Sequence, residues 1–142
     1  ISNCSASITL TGSGSYCWLG GLAGNNSGTV TNCYSAGNIS GTGAGSGSII
    51  SNSGGLIALT NNTITGCYST ADVSGSLINC RYGGLVGTNT SSIAMENCYA
   101  TGKVTTTTAS GTFTGGLIGS NNNNCAFHNS IQHQLRQSKE YK

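Results

Sequence analysis

The tripeptide Gly-Gly-Leu occurs four times, at Gly20-Gly21-Leu22, Gly54-Gly55-Leu56, Gly83-Gly84-Leu85 and Gly115-Gly116-Leu117. A second phrase alternates with it: Asn32-Cys33-Tyr34, Gly66-Cys67-Tyr68 and Asn97-Cys98-Tyr99. The second glycine of each pair returns after 34, 29 and 32 residues (Gly21 to Gly55, Gly55 to Gly84, Gly84 to Gly116). A period near 30 restricts the chain to repeat architectures, in which each unit buries its apolar face only against its neighbours.

Aligned on the cysteine, three segments read Cys-Tyr-Ser-Ala-Gly-Asn-Ile, Cys-Tyr-Ser-Thr-Ala-Asp-Val and Cys-Tyr-Ala-Thr-Gly-Lys-Val, starting at Cys33, Cys67 and Cys98. Alternate residues are small or apolar, and those between are polar apart from the tyrosine. Period two predicts a strand with one buried side. Cys4, Cys33, Cys67, Cys98 and Cys125 then form an inward column, and Tyr34, Tyr68 and Tyr99 an outward ladder. The Gly-Gly-Leu segment predicts a second strand after a tight corner, with Leu22, Leu56, Leu85 and Leu117 inward. Strict alternation turns the next residues, Ala23, Ile57, Val86 and Ile118, outward. Such an aliphatic column is either an interface or lies under a loop of the same chain. The Gly/Ser-rich stretch 41–52 reads as a surface loop.

These repeats predict an all-β fold, a parallel β-solenoid (β-helix) of four to five coils. Each coil would hold about 30 residues and two or three short strands, with equivalent residues stacked about 4.8 Å apart. A β-propeller needs longer repeats. The expected organisation is a solenoid repeat domain over 1–125 and a non-repetitive polar tail or C-terminal cap over 126–142, with one or two helical turns around Ile131 and Leu135.

Charge narrows the partners. Only 6% of residues are charged, and residues 1–125 hold Arg81, Lys103, Asp72 and Glu96, a net charge of zero. A neutral body has no basic stripe for phosphates, so nucleic acid is not an expected partner. No apolar run is long enough for a membrane-spanning helix, so membrane insertion is not expected. Asp72 and Glu96 occupy different repeat positions, so the paired carboxylates of a glycosidase are not expected to converge. The serines of the repeats have no nearby histidine for a hydrolytic triad. The expectation is a chain that is not an enzyme and needs no cofactor.

The seven cysteines lack a CxxC pair. The cysteine column reads as buried thiols or as disulfides, since stacked Cα atoms lie within bridging range but parallel side-chain vectors make the bridge awkward. Cys17 and Cys80, each four residues before the second glycine of a pair, are candidate disulfide partners for a column cysteine or another chain. Cys125, His128 and His133 have a spacing loosely like a metal site, yet zinc wants a fourth ligand, and polar tail residues in solvent are the simpler reading. The tyrosine ladder either binds sugar rings or stabilises its sheet.

Gly83-Gly84-Leu85-Val86-Gly87 with Asn97-Cys98-Tyr99-Ala100-Thr101-Gly102-Lys103-Val104 resembles the GLUG motif of bacterial surface proteins. The resemblance covers residues 1 to about 125, with Ala58 where glycine is usual. It implies a secreted or cell-surface repeat module of the kind found in adhesins and in accessory regions of immunoglobulin-A-cleaving peptidases, and it carries no catalytic residues. The expected function is a non-catalytic extracellular scaffold. It would act as an adhesin for a surface protein or glycan, or stack end to end with copies of itself through exposed strand edges. Ice binding stands behind these because no outward Thr-x-Thr recurs coil after coil. A carbohydrate-active enzyme stands last for want of acids.

Overall fold

In the computed structural model, residues 1–14, 16–42, 51–90, 92, 94–107, 111–123 and 126–132 are described. Among them there is no helix, and every strand pairing is parallel. The chain is a parallel β-solenoid whose wall has four faces. The first stacks Trp18–Gly20, Ser51–Gly54, Cys80–Gly83 and Phe113–Gly115. The second stacks Ala23–Asn26, Ile57–Thr60, Val86–Asn89 and Ile118–Asn121. The third consists of two-residue strands: Val30–Thr31, Ile64–Thr65, Met95–Glu96 and Phe127–His128. The fourth opens with Ser5–Gly12 and Tyr34–Gly41. It continues as the broken strands Tyr68–Ser69 with Asp72–Gly75 and Tyr99–Ala100 with Val104–Thr106, and ends at Ile131–Gln132.

The repeats therefore carry four faces per turn, not two or three strands. The turn count also differs from the four to five coils expected. Trp18, Asn52, Arg81 and Phe113 are successive partners, 34, 29 and 32 residues apart. On the first three faces four stacked copies enclose three intervals, which gives about three turns of about 32 residues, and the fourth face adds a fifth copy. The stack also runs past residue 125, where the tail was expected to begin: Phe127 pairs with Met95, and Ile131 pairs with Tyr99. Ile131 thus lies in a strand and not in a helical turn, while Leu135 lies outside the described residues. Of the expected loop over 41–52, Gly41 closes one strand and Ser51 opens another, and 43–50 lie outside the described residues.

Entry into the fourth face is fixed by a left-handed residue. Asn3, Asn32, Asn97 and Asn129 have φ of 52°, 52°, 52° and 49°, and Gly66 takes that place with φ of 62°. Asparagine and glycine tolerate this conformation where other residues are strained. The next residue is the inward column: Cys4, Cys33, Cys67, Cys98 and then Ser130, whose Oγ accepts the Cys98 N–H at 3.4 Å. Cys125 was expected in this column. The register gives its place to Ser130, and Cys125 lies outside the described residues.

The Gly-Gly corners divide each turn into two cores. A Cβ on Gly21, Gly55 or Gly84 would meet Ser35, Ser69 or Ala100 across the interior, so the corner touches the fourth face. Ser35 Oγ seals this waist by donating to the Gly55 carbonyl at 2.7 Å and accepting from Ser69 Oγ at 3.1 Å. On one side lie Val30, Leu56, Ile57, Leu85, Val86, Met95 and the thiols of Cys33, Cys67 and Cys98. On the other lie Leu19, Ile39, Val73, Leu77, Cys80 and Tyr82.

The column Ala23, Ile57, Val86 and Ile118 was expected to face outward, and it does not. Ile57 and Val86 have 0% exposure, and Ala23 and Ile118 pack against the same core. The cause is a bulge-like step at each corner. The Leu56 carbonyl accepts from both Leu22 and Ala23 N–H, at 2.8 and 3.3 Å. Leu85 likewise accepts from Leu56 and Ile57, and Leu117 from Leu85 and Val86, all at 2.9 to 3.0 Å. Two consecutive donors on one carbonyl offset the alternation by one residue. Leucine and its successor therefore both point inward.

Candidate functional site

The fourth face presents the longest regular surface. Its expected tyrosine ladder is present as geometry. Tyr34 and Tyr68 stack with ring centroids 4.9 Å apart and planes 3° apart, and Tyr68 and Tyr99 with 4.8 Å and 2°. Ser5 and Ile131 continue the column at either end. The near-parallel stack changes what the ladder can do. Each ring covers its neighbour, so the two faces of Tyr68 and the inner faces of Tyr34 and Tyr99 are not free to receive a sugar ring. The stack stabilises the sheet, since each aromatic pair contributes about 1 kcal/mol beyond area burial. Tyr68→Ala, which removes both pairs, is expected to lower stability by about 2 kcal/mol in urea unfolding followed by circular dichroism. A variant with an unchanged midpoint would contradict this.

Along the strands the outward side runs on through Ala36, Thr70 and Thr101, then Asn38, Asp72 and Lys103. Asp72 Oδ1 accepts the Lys103 backbone N–H at 2.7 Å. Glu96 sits on the third face, away from Asp72. Farther on, the face carries hydroxyls that the sequence reading passed over. Thr11, Ser40, Ser74 and Thr105 are register partners, each seven residues after its column cysteine. Thr42, Ser76 and Thr107 follow nine residues after theirs. The signal was available in the alignment on cysteine, which stopped one residue short of the first row.

The thiols lie elsewhere. Cys33, Cys67, Cys80 and Cys98 are buried, Cys17 is half-buried and Cys4 exposed, and all six are free. Cys33 and Cys67 each accept an N–H from the layer before through Sγ, at 3.4 Å, and the thiols of Cys33, Cys67 and Cys98 donate to the carbonyls two residues earlier, Thr31, Thr65 and Glu96, at 3.2 to 3.3 Å. Burial pushes the Cys33 and Cys80 thiols up, and Cys98 is raised by its hydrogen bond with Cys67 and by burial. Cys17 and Cys80 were candidate disulfide partners for a column cysteine or another chain. Ser51 stands between the two in the stack, its Oγ accepting the Cys17 N–H at 3.1 Å and its backbone in register with Cys80. Cys80 is buried in the core opposite the cysteine column, so a bridge to that column is not open to it. Thiolate attack needs access as well as ionisation. Native alkylation read residue by residue in a mass spectrometer is therefore expected to modify Cys4 and Cys17, and to reach Cys33, Cys67, Cys80 and Cys98 only after denaturation. Rapid native labelling of Cys80 would contradict the burial.

Of the spacing Cys125, His128 and His133, only His128 is among the described residues, exposed on the third face. Among the described residues no group of three or more His, Cys, Asp or Glu is placed to hold a metal ion.

Comparison with known proteins adds one finding. The family model of the GLUG motif matches residues 17–40 and 78–105. Each match runs from the first face, through the Gly-Gly corner, to the fourth. No curated protein and no solved structure matches the chain.

Proposed function

We propose, for a chain that is a GLUG-motif repeat protein folded as a parallel β-solenoid, a role as a non-catalytic extracellular scaffold of the adhesin type. It holds a flat, weakly charged face toward a partner. The observation that carries this reading is the fourth face itself. Its outward residues repeat in register over successive layers, while the reactive side chains are separated or occupied. Asp72 is held by the Lys103 amide, Glu96 is on another face, and four thiols are buried. A surface that repeats at one spacing suits recognition of a repetitive partner better than it suits a single reactive centre.

The test is to incubate labelled chain with immobilised glycans and surface proteins and to assay the same ligands for cleavage. Saturable binding without turnover supports the scaffold. Cleavage of a polysaccharide that disappears with Asp72→Asn would replace it with an enzyme.

A second reading, a self-stacking subunit, is supported by the ends of the described stack. Among the described residues Ser5–Gly12 pairs with Tyr34–Gly41 alone, and Ile8 on it is 38% exposed. At the other end Phe127 and Ile131 are 46% and 64% exposed. Unpaired edges invite further strands. Negative-stain microscopy separates the two readings: uniform fibres favour the subunit, monodisperse particles the single module. With four thiols buried, fibres formed through strand edges are expected to persist in reductant.

A further inference from the structure

The hydroxyls of the fourth face form two straight rows. Thr11, Ser40, Ser74 and Thr105 are in strict register across four layers. Two positions on, the amides of Thr42, Ser76 and Thr107 bond to the carbonyls of Gly12, Gly41 and Gly75 at 2.8, 3.0 and 3.1 Å, which extends the same register beyond the strands. The residues between the rows point inward: a Cβ on Gly41 would meet Leu77 and Leu19, and one on Gly75 would meet the Tyr82 ring. Both rows therefore flank the outer surface, and a shallow trough lies between them, lined by Ser40, Ser74 and Thr105 on one side and Thr42, Ser76 and Thr107 on the other.

We propose that these two rows and the trough between them bind the surface of ice. This rests on the reading of the chain as a scaffold with a display face and names the partner of that face. The argument is one of spacing. The stacked rings of successive layers on this face lie 4.8 to 4.9 Å apart, in line with the spacing of paired strands. Positions i and i+2 of a strand lie about 6.7 Å apart. Waters joined tetrahedrally at about 2.75 Å put second neighbours about 4.5 Å apart and repeat along the stacking axis of the network about every 7.3 Å. The mismatch is about 0.3 to 0.4 Å per layer, about 1 Å across four layers, and about 0.6 Å between the rows, which a rotating hydroxyl that both donates and accepts can span.

The sheet holds the rows in place before any contact, so binding orders little that is not already ordered. The rows carry no charge. The neighbouring column, Asn38, Asp72 and Lys103, bounds the neutral grid on one side. A glycan is the less suited occupant because both faces of Tyr68 and the inner faces of Tyr34 and Tyr99 are covered by the stack, which leaves no run of free aromatic faces for successive sugar rings.

The experiment grows an ice hemisphere from a dilute solution of the full chain and measures the fraction incorporated, with thermal hysteresis read in parallel. An inert protein of similar size gives the background. Thr105→Lys places a bulky charge in the exposed row, and Asn25→Lys places the same group on the second face, where Asn25 is exposed. Circular dichroism melts establish that both variants fold. Incorporation and hysteresis by the parent and by Asn25→Lys, with Thr105→Lys at background, are the expected results. A parent at background, or a Thr105→Lys chain that incorporates like the parent, overturns the proposal. Retention on chitin or cellulose beads in place of ice also overturns it, while leaving the scaffold reading intact. Polysaccharide cleavage would sink the scaffold reading independently of the ice assay. Should Thr105→Lys fail to fold, Thr42→Lys in the second row provides the same test.

Discussion

Gly83→Val is expected to lower the stability of the chain by more than about 4 kcal/mol. Gly83 is the first glycine of a corner at which the first and second faces meet. A Cβ there would overlap the Val86 carbonyl oxygen and lie 2.7 Å from the Gly119 amide of the next layer. Both neighbours are backbone in paired strands, so neither can swing away as a flexible side chain could. Gly20, Gly54 and Gly115 are confined in the same way by the carbonyls of Ala23, Ile57 and Ile118. Overpacking alone costs about 1–3 kcal/mol, and here it also breaks ladder hydrogen bonds on both faces, so a loss above about 4 kcal/mol is expected. That is a large share of the 5–15 kcal/mol typical of a domain. Thr101→Val on the exposed side of the fourth face is the matched control and should stay within about 0.5 kcal/mol. Urea titrations followed by far-ultraviolet circular dichroism decide it: a Gly83→Val midpoint equal to that of the control would mean the corner has more room than its backbone distances allow.

The same corner explains how far the sequence could be read. The period and the in/out alternation after each cysteine were legible because they depend on identity at fixed spacing. From Cys98 to Val104 the observed burial alternates as the pattern predicts. The layer closing at Ser130 was hidden because serine replaces cysteine and isoleucine replaces tyrosine. Its surviving mark was Asn129, the left-handed residue shared with Asn3, Asn32 and Asn97. The inward turn of Ile57 and Val86 was not legible, since the bulge that produces it lies in hydrogen bonds between layers. The two-part core was hidden for a similar reason: the waist depends on Gly55 meeting Ser69 across the interior, a contact that recurs as Gly21 with Ser35 and Gly84 with Ala100 but that the two-residue alternation of a strand does not reveal. The hydroxyl rows, by contrast, lay open to reading. Thr11-Gly12-Ser13, Ser40-Gly41-Thr42, Ser74-Gly75-Ser76 and Thr105-Thr106-Thr107 recur at one offset from Cys4, Cys33, Cys67 and Cys98. They do not read as a Thr-x-Thr repeat because serine supplies the same hydroxyl at Ser13, Ser40, Ser74 and Ser76.

Val86→Asp separates an interface from a core with the second-largest effect expected here. If Val86 stood on an outer column, an aspartate there would meet water, leave the fold intact and weaken only an association. At 0% exposure, packed among Leu85, Ile57 and Met95, it would instead bring an unpaired carboxylate into an apolar lobe. Burying such a group without a hydrogen-bond partner costs several kcal/mol, about 4 or more when the lost valine packing is added. Val86→Ala, which removes only two methyl groups and leaves a small cavity, should cost about 2 kcal/mol. The pH dependence gives the sign. Burial raises the carboxyl above its unfolded value near 4, so the variant is least stable where the unfolded acid is ionised and regains stability as pH falls through the acid range. Chemical denaturation of the three chains at neutral and acid pH, with sedimentation to record association, distinguishes the cases. An outer column predicts three equal midpoints and a change only in sedimentation. The core predicts parent above Val86→Ala above Val86→Asp at neutral pH, with the last gap narrowing in acid.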